Sequence, residues 1–232
     1  MTPRLRLRAV FALCLVTPLF ACGGGDNDTP QTWVVMGSSS AAGVGASPGH
    51  GWADQLAAAL PGRRVATVNI ARGGALTYQA LPTASTPPVG RPAPDPTINT
   101  DRALAQLPRV VLLSYPSNDV VAGYGAVETA GNQVAMRDTL RAGGATVMAL
   151  GTQPRDALGA AQRAVQADVD TRLQAAFGPC FVPLQAALAD AAGRIAPAYS
   201  AGDGIHLNDS GHARVLQQVR AALDSGRCVA PN

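Results

Sequence analysis

The chain has 232 residues, 47% of them hydrophobic, and a formal net charge of +3, which fits one domain with a sizeable core plus a short additional segment. All 18 basic residues are arginine and Glu128 is the sole glutamate, which excludes Schiff-base lysine chemistry, a phosphate-loop lysine and a pair of catalytic glutamates. Aromatic residues make up 4% of the chain and the charge excess lies in Arg4, Arg6 and Arg8, so neither a base-stacking platform nor a basic footprint for nucleic acid remains.

Those three arginines precede an apolar run over 9–20 that ends in Leu19-Phe20-Ala21-Cys22. A basic start followed by an apolar stretch too short to span a membrane reads as a secretory signal. The stretch resembles a bacterial lipobox, which makes Cys22 the residue expected to carry lipid. Residues 1–21 are then a lipoprotein-type signal peptide, and 22–31, rich in Gly, Asp and Asn, a flexible tether. Residues 32–230 are the folded domain, expected as a monomer in the bacterial cell envelope, anchored on the periplasmic side of the outer membrane. Ordinary signal cleavage, giving a periplasmic or secreted protein, is the alternative.

Cys14 leaves with the signal and Cys22 is the anchor, so Cys180 and Cys228 remain as an even pair in an oxidising compartment. One disulfide between them is expected, tying the carboxyl terminus to a late strand.

Within the domain, apolar runs at 32–37, 64–70, 109–115 and 145–150 read as buried strands, with a shorter one at 180–184. Helical stretches lie between and after them: 51–60, stopped by Pro61-Gly62; 97–107, before Pro108; 126–141, before Gly143-Gly144; 156–177, before Gly178-Pro179; and 210–223. Strands alternating with helices imply a parallel sheet covered on both faces. The expected fold class is α/β, a three-layer α/β/α sandwich around about five parallel strands, flavodoxin-like. Strand order is not legible from one sequence. Residues 81–96, rich in Pro and Thr, read as a long loop over the site or on its rim.

The first strand breaks into Gly37-Ser38-Ser39-Ser40-Ala41-Ala42-Gly43. Such a turn can present one hydroxyl at the carboxyl end of a strand, where sites form in open α/β sheets. A hydroxyl needs a base and oxyanion donors to act as a nucleophile. Asp203-Gly204-Ile205-His206 offers a carboxylate three residues before an imidazole, a spacing that can fix the ring's tautomer. Asn69-Ile70-Ala71-Arg72-Gly73-Gly74 follows the second strand and Tyr115-Pro116-Ser117-Asn118-Asp119 the third. A glycine N–H and an asparagine amide at those ends can both donate to an oxyanion. Arg72 reads equally as a contact for an anionic substrate or as half of a surface ion pair. Tyr78, Tyr124 and Tyr199 read as packing residues.

Taken together and in this order, the four pieces resemble the SGNH, or GDSL-type, hydrolase family. The resemblance places the nucleophile on Ser39, the triad partners on Asp203 and His206, and the oxyanion donors on Ser39 N–H, Gly74 and Asn118. It implies a serine esterase acting on a short-chain acyl, O-acetyl or lipid ester, with no metal or other cofactor. Two positions depart from the family pattern: Ser38 stands where an Asp is usual, and Pro116 where a Gly is usual. A non-catalytic envelope protein that keeps the fold to bind a glycan or other ligand is the alternative. A metal site built from Asp203, His206 and His212 is the third reading, disfavoured by the spacing of its donors.

Overall fold

The computed structural model describes residues 30–60 and 64–228. The signal peptide, Cys22, nearly all of the tether, the Pro61-Gly62 stop and the last residues of the domain lie outside the described residues.

Five strands form one parallel sheet in the order β2-β1-β3-β4-β5: β1 is Gln31–Gly37, β2 Val65–Asn69, β3 Val110–Ser114, β4 Thr146–Leu150 and β5 Phe181–Val182. The register places Val35 beside Leu112 and Leu112 beside Met148. Every residue of β3 is buried, as is Trp33–Gly37 in β1. Strands covered on both faces are therefore continuously apolar rather than alternating. The β2 strand lies at the edge and is only partly buried.

Helices cover both faces. On one, α1 (Trp52–Ala59) packs against α8 (Asp209–Asp224). On the other, α5 (Ala126–Ala142) packs against α6 (Ala160–Phe177). Four short helices sit at loops: α2 (Thr77–Ala80), α3 (Thr100–Leu104), α4 (Asn118–Val121) and α7 (Gln185–Leu188). This is the expected three-layer α/β/α sandwich. No helix among the described residues is long and apolar enough to cross a membrane.

Two helices are shorter than the sequence pattern suggests, and both for local polar reasons. Residue 97 is held outside α3 because Asp95 Oδ1 accepts from both Thr97 N and Thr97 Oγ, while Asn99 caps the helix by accepting from Arg102 N. Asp156 is drawn away from α6: its N–H donates to the Gly204 carbonyl and its carboxylate accepts from Ile195 N. The helix then begins at Ala160. The stretch 81–96 carries no regular element beyond turns. It is pinned by Arg72–Asp95 at 2.5 Å and by Arg91, which pairs with Glu128 at 2.5 Å and stacks over the Tyr124 ring at 3.9 Å. Tyr124 meets Tyr78 edge-on, and both are buried.

Cys180 and Cys228 are joined by a disulfide with an S–S distance of 2.07 Å. It fixes the chain beyond α8 to the start of β5.

Candidate active site

The carboxyl ends of β1, β2 and β3 gather three of the four sequence blocks, and the fourth precedes α8. After Gly37 the chain leaves β1 by a tight turn: Ala42 N donates to Ser38 O and Val44 N to Ser39 O, each at 3.0 Å. Gly37 has no alternative here, since a Cβ would strike the Ser114 carbonyl of β3. Ser38 and Ser40 are buried, and of the three serines only Ser39 is partly exposed. The hydroxyl that a substrate can reach is therefore that of Ser39. Ser38, in the place of the usual Asp, is held by its backbone N–H on Ser114 O at 3.0 Å, while its Oγ has no partner among the described residues.

The turn after β2 is tied directly to this one. Asn69 Nδ2 donates to Ala41 O at 2.8 Å and Arg72 N to Gly37 O at 3.1 Å. Gly74 has φ +78°, a left-handed conformation that favours glycine. Among the described residues neither the Ser39 N–H nor the Gly74 N–H has an acceptor. Two backbone donors, one in the turn after β1 and one in the turn after β2, are thus free to bind an incoming oxygen.

Asn118 opens α4 after β3. Its Nδ2 donates to the Ala75 carbonyl at 3.2 Å, leaving its second amide hydrogen available. Asp119 reinforces the same junction by accepting from Thr77 N at 3.0 Å and from Thr77 Oγ. Burial raises the Asp119 pKa against those bonds. The Pro116 carbonyl accepts from Gln166 Nε2 of α6 at 3.3 Å, tying this loop to the helix layer.

The Asp-x-x-His stretch closes on itself. Asp203 Oδ1 accepts from Ile205 N and His206 N, both at 2.8 Å, and Oδ2 meets His206 Nδ1 at 2.6 Å. These bonds, led by that of the His206 N–H, hold the Asp203 carboxyl down to about 2. A carboxylate facing Nδ1 fixes the proton there and leaves Nε2 as the basic nitrogen. The loop is anchored from β4's exit, where Gln153 Nε2 donates to Ile205 O at 3.1 Å and Asp156 N to Gly204 O at 2.9 Å. Neither anchor carries a motif signal, because both act through backbone carbonyls. Ser39 Oγ and His206 Nε2 are not hydrogen-bonded to each other, and contacts of this kind often tighten only around a substrate. Their loops nonetheless touch: a Cβ at Gly45 would lie 2.8 Å from His206 Cβ.

Arg72, read from sequence with two roles, is engaged by Asp95 at 2.5 Å. His212 lies apart from the Asp203–His206 pair in its bonding. Its Nδ1 accepts from Trp52 N and its Nε2 meets Val44 O, so neither nitrogen faces a shared metal position.

The model of the GDSL-like Lipase/Acylhydrolase family matches residues 35–214. None of the curated proteins matches the sequence. Among solved structures, this chain is similar to that of TesA, with a TM-score of 0.65, 21% identity, and coverage of 84% of this chain and 99% of that one. A member of the lipolytic protein G-D-S-L family from Veillonella parvula gives a TM-score of 0.64 at 16% identity, covering 82% of this chain and 97% of that one. The acetyl xylan esterase AlAXEase gives 0.61 at 17%, covering 83% and 99%. At these identities the structural likenesses speak for the fold.

Proposed function

The chain belongs to the GDSL-like lipase/acylhydrolase family, and we propose that it hydrolyses carboxylic esters through an acyl-enzyme on Ser39. The observation that carries this reading is the pair of unengaged backbone N–H groups on Ser39 and Gly74, together with Ser39 being the one partly exposed serine of the turn after β1.

In this reading His206 Nε2 takes the Ser39 hydroxyl proton as Oγ attacks the ester carbonyl carbon. The carbonyl oxygen gains the negative charge and is held by Ser39 N–H, Gly74 N–H and the Asn118 amide. Asp203, ionised throughout the neutral range, balances the imidazolium. His206 then gives the proton to the departing alkoxide, and water repeats the sequence on the acyl-enzyme to release the acid. Every step uses side chains and backbone of this chain.

The substrate is an ester with a short acyl, O-acetyl or lipid acyl group. The name of AlAXEase, an acetyl xylan esterase, makes an acetylated glycan one member of the panel to test. From the arginine-led apolar leader ending in Cys22, we also place the enzyme on the cell envelope, lipid-anchored. Incorporation of labelled palmitate that is lost in Cys22→Ser tests the anchor.

The activity is tested with a fluorophosphonate probe and p-nitrophenyl acetate. Wild-type protein is expected to label and to hydrolyse, and Ser39→Ala to do neither while keeping the wild-type circular dichroism spectrum. Full hydrolysis by Ser39→Ala overturns the assignment.

A further inference from the structure

The one fully buried histidine among the described residues, His212, takes no part in the steps above. It lies in the first turns of α8, six residues after His206, with 0% of its surface exposed. Both ring nitrogens are engaged by backbone groups of fixed polarity. Trp52 N–H, which can only donate, lies 3.2 Å from Nδ1. Val44 C=O, which can only accept, lies 3.3 Å from Nε2. The ring is therefore neutral with its proton on Nε2. Burial lowers its basicity, against the opposite pull of the Val44 carbonyl, Asp209 and Asp54, and so favours the neutral ring.

What the two bonds connect gives the residue its significance. Trp52 opens α1, whose N-cap Gly51 provides no side-chain cap, so the imidazole supplies the missing acceptor from another helix. Val44 is bonded in turn to the nucleophile's own residue, its N–H donating to Ser39 O at 3.0 Å. The next residue, Gly45, has φ +97° and abuts His206 Cβ and the Leu207 carbonyl. Two residues on, Ser47 N donates to Asp209 Oδ1 at 2.6 Å. The loop 43–47 is thus clamped between the serine turn and the segment 206–212, and His212 is the buried member of the clamp.

We propose that His212 is a positioning residue for hydrolysis, holding the Ser39 turn against the His206 loop through the Val44 carbonyl. This rests on the esterase reading above. The donor on Nε2 is the operative half, because it alone reaches the serine turn. The acceptor on Nδ1 serves the α1 terminus.

The two halves separate by substitution. In His212→Asn the side-chain oxygen falls where Nδ1 lies, so the Trp52 N–H keeps an acceptor and Val44 loses its donor. In His212→Gln the amide nitrogen falls where Nε2 lies and the Val44 bond is restored. Measurements are kcat and KM on p-nitrophenyl acetate and the rate of fluorophosphonate labelling, on protein whose melting curve shows it folded. His212→Asn is expected to lose about ten- to a hundredfold in both kcat and labelling rate with KM little changed, the size of effect that a small misplacement of reacting groups produces. His212→Gln is expected to recover most of that loss. Wild-type rates in His212→Asn overturn the proposal, and so does an equal loss in both variants. Should His212→Asn not fold, a tenfold drop in His212→Gln overturns it alone. A wild-type enzyme that neither labels nor hydrolyses sinks the esterase reading itself, which distinguishes that failure from this one.

Discussion

Asn118 Nδ2 donates to the carbonyl oxygen of Ala75, 3.2 Å away, so the side-chain amide after β3 is fixed to the residue next to Gly74. Thr77 adds two bonds to Asp119 across the same gap. The Gly74 N–H and the free Asn118 amide hydrogen are therefore placed by one bonded junction between two crossover loops. Donors held in advance lose no energy to reorganisation when charge develops on the substrate oxygen.

Asn118→Ala removes one donor and loosens the loop that carries another. We expect kcat on p-nitrophenyl acetate to fall about a hundredfold or more, with KM changed far less. A rise in KM at unchanged kcat would mean that Asn118 binds substrate without favouring the transition state.

Asp203→Asn tests the orienting carboxylate. Asn can accept from the Ile205 and His206 N–H groups, but its amide can also present N–H to Nδ1 and so favour the wrong tautomer. The expected loss in kcat is about 10⁴-fold. Since the Asp203 pKa is held at about 2 instead of 3.8, its contribution is complete above pH 4 and declines only as the pH falls towards 2. Activity of Asp203→Asn within tenfold of wild type would mean that this carboxylate does not orient the ring.

Much of this arrangement is legible in the sequence because glycine and apolar runs mark where strands end. The five strands lie where the apolar runs place them, each within a few residues. The bonds between blocks are another matter. Asn118 reads as an amide at a strand end, but its contact with Ala75 depends on β1 lying between β2 and β3, and strand order is not encoded in any local pattern. His212 carries no motif, because its partners are the backbone of Trp52 and Val44, each about 160 residues away or more. Asp156 reads as a helix start, yet tertiary bonds to Gly204 and Ile195 take it out of α6. Choosing among Ser38, Ser39 and Ser40 by residue type is impossible. Their burial distinguishes them.

Removing the cross-link tests how the carboxyl terminus is held. The Cys180–Cys228 bridge spans 48 positions, and closing a loop of that length stabilises the folded state by about 4 kcal/mol in the chain-entropy account. The double variant Cys180→Ser with Cys228→Ser is expected to melt about 10 °C lower than the oxidised wild type. Thiol titration of the denatured wild type should find the pair only after reductant is added. Two free thiols without reductant would contradict the bridge.

Asp170 supplies a test of stability against pH that is independent of catalysis. It lies on α6 with Oδ1 accepting from Thr152 N at 2.7 Å, beneath the exit of β4. Burial pushes its pKa up from 3.8 to about 6, and the Thr152 bonds only partly counter this. Below pH 4 the carboxyl is protonated in both folded and unfolded chains and the group is neutral in its effect. Between pH 4 and 6 the folded chain retains a proton that the unfolded chain has released, so stability falls as pH rises, and above pH 6 the full cost of a buried anion persists. Asp170→Asn keeps an acceptor for the Thr152 N–H and cannot ionise. Compared by urea unfolding, the variant should match wild type near pH 4 and exceed it by about 3 kcal/mol at pH 8. Equal stabilities at pH 8, or a wild-type advantage that grows with pH, would mean that the carboxylate is stabilised where it stands and that its burial carries no penalty.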